Sequence, residues 1–573
     1  MAYKEFFVEK SSGTYSEMLE AYGLAKLLEQ IMDFGAEIRI ENIGLGYRIT
    51  PKREISQERI DSLNYTQVIP FIKEKIDTPI PISGQGKYFD YPSQKAERDR
   101  YKALREEISK DKSEQKKEKL KALVLLQSSE FGKNLDSEYD VYREIVGNPY
   151  TAFEKLYFNF EKNKEEYKIL ITEILNYYFN KKSEKRTFKI DEKVTSQQLY
   201  SPNQGKGLNR TKADGLAMGN EDGMWIPETM KILGALNFMS CQTLKVGSSY
   251  DMKIFVPEFN DITISKASTI IKEFKRHLKS VDPIKLDILN ILNFTLTFIR
   301  NTEGYQGKVK NTVSGLFMVY QKSLGQFVKS VTNISFIETP EFVDCNDKAD
   351  AKKWLEILND QIKIVQSIKE QGDSIQGLLA YRNFLGSSNL YSFFKFSNWY
   401  SVYLMQALDN QKYYVKPFKV EILNLFYEMM DKNNELKLGD IIKNEGFLAV
   451  ANAIRKSTVT LQYTPKDQRK FDIRYGMAQE IQNKSKSKSD LATFIGEFIA
   501  TYNAQTARQM EKTGKALRKN VKASELIDFY ELLDKADSSR LVGALLGSYG
   551  FALIAKEIKD DDDNSDNEEG NDD

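Results

Sequence analysis

The side chains in this sequence best placed to do chemistry are cations set among small or amide-bearing neighbours. In SPNQGKGLNRTKADGLAMGNED, Ser201 to Asp222, a glycine-rich backbone carries Lys206, Arg210 and Lys212 with Asn203, Gln204 and Asn209 between them. Such a segment lets N–H groups and cations approach phosphate while amides reach base edges. Its near lack of core-forming residues predicts an ordered surface loop. A denser patch runs from Arg455 to Lys522, with fifteen cations against six carboxylates. Within it Arg469, Lys470 and Arg474 precede a predicted helix, and Lys484, Lys486 and Lys488 form an SKSKS connection. Arg508, Lys512, Lys515, Arg518, Lys519 and Lys522 follow at helical spacings that gather several on one face. Cations displayed in this way track a phosphate backbone without reading sequence, and the binding they support weakens with salt. A third candidate, TEGYQGKVK, places Lys308 and Lys310 after an apolar helix.

Groups for bond-breaking are scarce. The single histidine, His277, cannot supply the paired histidines of a phosphohydrolase metal centre or of an HExxH zinc motif. Cys241 and Cys345 match no zinc or redox spacing and read as core thiols. No GxxxxGK[ST] occurs, which argues against a P-loop ATPase, and no adjacent aspartate pair lies inside the folded body to build a two-metal site. The reading is therefore of a chain with no catalytic residue, no metal and no cofactor. Two rival readings stay open: a nuclease whose site is assembled from scattered carboxylates, and a scaffold that binds only proteins.

Charge supports a polyanion partner. The net value of +1 hides a run from Asp560 to Asp573 (DDDDNSDNEEGNDD) with nine carboxylates and no cation, which leaves the rest of the chain strongly basic. Such a run reads as a disordered, solvated tail. The 31 Tyr and 33 Phe exceed what packing usually needs, and some of those rings are candidates to meet bases. The N-terminal MAYKEFFVEKSSG lacks a signal-peptide pattern, and two cysteines cannot form a disulfide framework, so the expectation is a cytoplasmic protein. The apolar stretch Leu541 to Ala555 carries Gly543 and Gly547 at a membrane-helix spacing, but is too short to span a bilayer and reads as a buried bundle helix.

The elements that must position these groups are mostly helical. An amphipathic helix is predicted over Ser12 to Ile31 and a small hairpin over Ala36 to Thr50. Pro70, Pro79, Pro81 and Pro92 interrupt regular structure before a charge-dense helix or helix pair, Gln94 to Gln127, and an aromatic-rich helix follows over Tyr150 to Tyr178 with a basic end at Lys181, Lys182, Lys185 and Arg186. Strand-like pieces around Thr243 to Pro257 frame the glycine-rich loop, and Leu286 to Ile299 and Trp354 to Ile368 are core helices. Leu491, Phe494, Ile495, Phe498, Ile499 and Tyr502 form a one-sided apolar stripe with Ser489 as its cap, the clearest member of a bundle of helices over residues 420 to 557. The fold class is thus mostly α, with a mixed α+β N-terminal part (residues 1–410, sub-boundary near 200), a C-terminal helical bundle (411–558) and the acidic tail (559–573).

Two of these segments carry a family likeness. SPNQGKGLNRTKADGLAMGN resembles a stretch of the large subunits of type I CRISPR Cascade complexes. FDIRYGMAQEIQNKSKSKSDLATFIGEFIATYNAQTAR followed by LVGALLGSYGFA resembles the helical end of that family, in the expected order and closest to the subtype I-B-like branch. The resemblance implies a non-catalytic subunit at the 5′ end of the CRISPR RNA that recognises the protospacer-adjacent motif in target double-stranded DNA, aids R-loop formation and recruits a helicase-nuclease. Guide pairing then reads sequence and another protein cuts. It also implies contacts with the backbone and 5′-end-capping subunits, and a bundle resembling the small subunit that lines the displaced single strand. A separately translated C-terminal small subunit would start near Met429 and Met430. By the same analogy Asn203, Lys206, Asn209 and Arg210 are the candidate contacts near the adjacent motif.

Overall fold

The computed structural model describes residues 2–34, 36–63, 71–79, 88–110, 119, 156, 160–180, 186–203, 222–246, 249–278, 282–302, 305–323, 329–432 and 435–554. The described chain is mostly helical with a mixed α and β N-terminal part and a helical C-terminal region, the class expected from sequence. It divides into two compact units, residues 1–281 with 309–339, and residues 282–308 with 340–573.

The first unit is organised around α1 (Ser16–Ile31). Ser11 and Ser12 hydroxyls and the Ser12 amide all donate to the Glu17 carboxylate, which anchors the first turn. The expected amphipathic helix is instead buried on nearly every side, because its acids are satisfied internally: Tyr178 Oη donates to Glu20 and Lys26 pairs with Glu29. It packs so closely on α3 (Trp225–Phe238) that Gly23 and Gly234 face each other's backbones, and a Cβ on either would lie 1.9 Å from a carbonyl oxygen, of Met230 or Leu19. Between them in sequence lies α2 (Phe160–Asn180), which buries Tyr167, Leu170, Ile171, Ile174 and Leu175. Arg186, read as part of a basic end to this segment, turns back to Glu173 at 2.9 Å in a pair that is almost wholly buried.

Two four-stranded antiparallel sheets, beside two small two-stranded ones, complete the described part of the unit. The predicted hairpin is β2 (Ile38–Asn42) with β3 (Gly46–Pro51), joined through Gly44 at φ +85 and flanked by β1 (Phe6–Glu9) and, after a long excursion, β6 (Asp261–Thr263). Alternation buries Ile38, Ile40 and Ile49 and turns their neighbours outward. The second sheet has the order β8 (Lys329–Glu338), β7 (Val313–Ser323), β5 (Ser249–Phe259), β4 (Ser240–Val246). Strands β4 and β5 realise the strand-like pieces around Thr243, whereas β7 and β8 carried no strand expectation. The helix α4 (Ile264–Arg276) follows β6. Pro92 opens a helix, Tyr91–Lys110, at its second residue, where a missing N–H costs nothing, and so starts regular structure instead of interrupting it.

The second unit does not begin at residue 410. It opens with α5 (Pro283–Asn301) and continues through α6 (Lys348–Ser367), α7 (Ser374–Ser387), α8 (Leu390–Asp409) and α9 (Val420–Met430) into α10 (Glu445–Ser457), α11 (Met477–Lys484), α12 (Lys488–Thr513), α13 (Ala523–Lys535) and α14 (Ser539–Tyr549). The reason lies in α14. Ser401 on α8 donates to the Gly547 carbonyl at 2.8 Å, and a Cβ at Gly547 would sit 2.5 Å from Asn398 Oδ1, so α8 is part of the bundle core. Gly543 makes room for Ser485 in the same way. The glycine spacing thus serves packing between helices, and no described helix is long and apolar enough to cross a membrane. Phe384, Phe393, Phe396, Phe418, Phe426 and Tyr427 pack against one another in tilted and edge-on contacts in the interior, so these rings are core. Met429, beside the expected internal start, is a buried residue of α9.

Candidate nucleic-acid interface

The best-formed basic site lies in the second unit, where residues 465–476 fold over α12. The cap of α12 is Ser487, whose hydroxyl accepts from the Asp490 amide at 3.0 Å, and Ser489, expected in that role, is exposed in the first turn. From that start, Leu491, Ile495, Phe498, Ile499 and Tyr502 point into the bundle. On an adjoining strip, Gln505, Arg508, Gln509 and Lys512 recur at i, i+3, i+4 and i+7, and so share one face. Opposite that face stand Lys466, Lys470, Phe471 and Tyr475, and between them runs a cleft of about 670 Å³.

Arg518 fixes the geometry. Its guanidinium lies between the rings of Phe471 and Tyr502, 3.8 and 3.7 Å from their centroids. It donates to Thr506 Oγ1 at 2.8 Å, the Tyr502 carbonyl at 2.8 Å and Gln505 Oε1 at 3.2 Å. Burial pulls its pKa down to about 10, opposed by Tyr502, and it keeps its charge at neutral pH. Arg518 was expected among the phosphate contacts; at 9% exposure it is instead the clamp that holds the 465–476 segment on α12. A planar fork that stacks and donates at once suits this role, which a lysine could not fill.

The remaining predicted cations differ in how far they are committed. Lys470, Arg474, Arg508 and Lys512 are exposed and make no side-chain ion pair or hydrogen bond with a described residue, and Lys470, Arg508 and Lys512 line the cleft itself. Arg469 also lines it, but its Nε and Nη2 are spent on the Thr464 and Gln462 carbonyls. Lys484, Lys486 and Lys515 are exposed away from this lining, Lys488 donates to the Asp534 carbonyl, and Lys519 is paired with Glu525 at 2.9 Å. Lys308 pairs with Glu341 and Lys310 with Glu338, so each of these lysines is neutralised locally. Sequence reasoning missed Lys466, Gln505, Gln509, Phe471 and Tyr475. The polar i, i+3, i+4, i+7 strip beside the apolar one was a legible trace of the first half of the cleft. Tyr475 is half exposed, with its hydroxyl on Asp409, and Asp472 is the one carboxylate among the described lining residues.

Of the glycine-rich loop, Lys206, Asn209, Arg210 and Lys212 lie outside the described residues. Its first residues are rooted: Ser201 is buried, and Asn203 donates from Nδ2 to the Ser12 carbonyl at 3.0 Å. Both line a second cavity, of about 650 Å³, whose walls include Glu17, Glu20, Glu228 and Lys231. Lys231 is held by Glu228 at 2.8 Å. Burial pushes the Glu20 carboxyl up to about 7, with Lys231 and the Tyr178 hydrogen bond opposing. Such an acidic cavity does not suit phosphate, and among the described residues the unpaired cations gather at the cleft instead. The chain matches no known family model and no curated protein.

Proposed function

We propose that this chain is a non-catalytic, nucleic-acid-binding subunit of a larger assembly, and that the cleft beside α12 is a surface that holds a phosphate backbone. The observation that carries the proposal is the convergence of Lys466, Lys470, Arg508 and Lys512, with the exposed Tyr475 ring and two glutamines, on one cleft whose described lining has a single carboxylate. Uncommitted cations bind phosphate, the ring offers a stacking face to an unpaired base, and the amides tolerate any sequence. The resemblance to large subunits of type I CRISPR Cascade complexes adds the setting. In it the chain would sit with CRISPR RNA and the backbone and 5′-end-capping subunits, read the adjacent motif in duplex DNA, hold the displaced strand on the bundle and recruit a helicase-nuclease.

The test has two parts. Copurification of the native chain should bring down a guide RNA and partner subunits. In binding assays with single-stranded oligonucleotides, each phosphate contact contributes a slope of about −0.7 in log affinity against log salt. Lys470→Ala with Arg508→Ala should therefore flatten the slope by roughly 1.4 while leaving base preference unchanged. Asn209→Ala or Arg210→Ala should relax discrimination of the adjacent motif in the assembled complex. An unchanged slope removes the cleft from the interface. Metal-dependent cleavage by the purified chain, abolished by a carboxylate substitution, would replace the proposal with the nuclease reading, and copurifying subunits with no nucleic acid would favour a protein-only scaffold.

A further inference from the structure

We infer that the acidic run Asp560 to Asp573 is a ligand of the cleft beside α12 and occupies its cations until a polyanion displaces it. The inference concerns the same cleft as the proposal above: its docking part stands alone, since the docking partner belongs to the chain itself, and only the displacement by polyanion rests on that proposal.

Charge supplies the first argument. The described lining of the cleft presents Lys466, Lys470, Arg508 and Lys512 with Asp472 as its one carboxylate, Asp409 lies beside it on the Tyr475 hydroxyl, and none of Lys470, Arg508, Lys512 and the neighbouring Arg474 has a carboxylate partner among the described residues. The run offers nine carboxylates and no cation. Carboxylates accept from guanidinium and ammonium donors in the same manner as phosphate oxygens, and repeated acids can span several cations at once.

Reach supplies the second. Gly550, just past α14, lies against the end of α10: the Gly550 carbonyl accepts from Thr458 Oγ1 at 3.4 Å, and Arg455 Nη2 donates to the Tyr549 carbonyl at 3.1 Å. The next residue back, Ser457, accepts at its carbonyl from the Arg474 amide at 2.9 Å. This relay puts Gly550 within roughly 15 Å of Arg474, and Ile554 within roughly 30 Å, given the length of a residue. The 19 residues from Ala555 to Asp573 span up to roughly 65 Å when extended. The acids therefore reach the cleft with chain to spare, and a tether of this length gives an effective concentration on the order of millimolar.

The experiment uses a labelled peptide of residues 556–573 and two proteins, the full chain and a chain ending at Lys559, with no nucleic acid present. Fluorescence anisotropy at low salt should show the peptide binding the shortened chain about ten-fold more tightly than the full chain, where the tethered copy competes. Binding to the shortened chain should fall at least ten-fold when Lys470→Glu, Arg508→Glu and Lys512→Glu are combined. A second variant leaves every described residue untouched: in the full chain, Asp560→Asn, Asp561→Asn, Asp562→Asn and Asp563→Asn together should restore most of the peptide affinity. Equal affinity for full and shortened chains, or binding that ignores the cleft variant, overturns the inference. A shortened chain that binds the peptide but no oligonucleotide would leave the docking intact and remove the nucleic-acid proposal; the reverse result would remove only the docking.

Discussion

Replacing Arg518 separates a structural cation from a ligand-binding one. Its guanidinium stacks on two rings and makes three hydrogen bonds inside the bundle. Each cation–π contact is worth about 0.5–2 kcal/mol and each hydrogen bond from a charged donor about 1.5–3 kcal/mol. Desolvation of the guanidinium offsets a large part of that gain, so the net loss on Arg518→Ala comes to about 3 kcal/mol. The damage is local, because what is lost is the attachment of residues 465–476 to α12. Hydrogen exchange on the full chain reads this directly: the Arg474 amide, which donates to the Ser457 carbonyl, should exchange on the order of 100-fold faster. Arg518→Lys keeps the charge but not the planar fork, and should show most of the same loss. Unchanged protection in Arg518→Ala, together with weakened oligonucleotide binding, would refute the reasoning and return Arg518 to the ligand contacts.

Three further outcomes follow from the packing. The raised Glu20 carboxyl, about 7 against an ordinary 4.5, means the folded chain prefers the protonated acid. That contribution to stability is full below the ordinary carboxylate range and is lost as pH rises toward 7; Glu20→Gln should flatten the decline, on the order of 3 kcal/mol, in denaturant titrations between pH 5 and 8. Gly23→Ala or Gly234→Ala should each destabilise the first unit by about 3 kcal/mol in thermal unfolding, since the backbone carbonyls facing them cannot retreat. Ser487→Ala should cost about 1 kcal/mol and Ser489→Ala close to nothing, because only the former hydroxyl caps α12.

Periodicity and composition made much of the fold legible. The apolar stripe from Leu491 to Tyr502 and the hairpin at Ile38 to Ile49 appear where spacing placed them, because each has one face buried and local patterning reports that directly. Strands β7 and β8 were not legible, since β7 is defined by long-range pairing with β5 rather than by a local period. Helix α1 was misread as amphipathic because its glutamates find partners in Ser11, Ser12, Lys26 and Tyr178, of which only Lys26 lies in the helix itself.

By itself the sequence determined the excess of cations between Arg455 and Lys522 and the acids gathered at Asp560 to Asp573, because charge is a local property of a chain; the helical spacing expected from Arg508 to Lys522 holds only to Thr513, where α12 ends, and Lys515, Arg518, Lys519 and Lys522 lie between α12 and α13. Only the tertiary structure decided which cations are uncommitted. Arg518 and Lys512 look alike in sequence, yet one is spent between Phe471 and Tyr502 while the other faces an open channel. A cation's partner is set by what folds against it, and residues distant along the chain supply that partner.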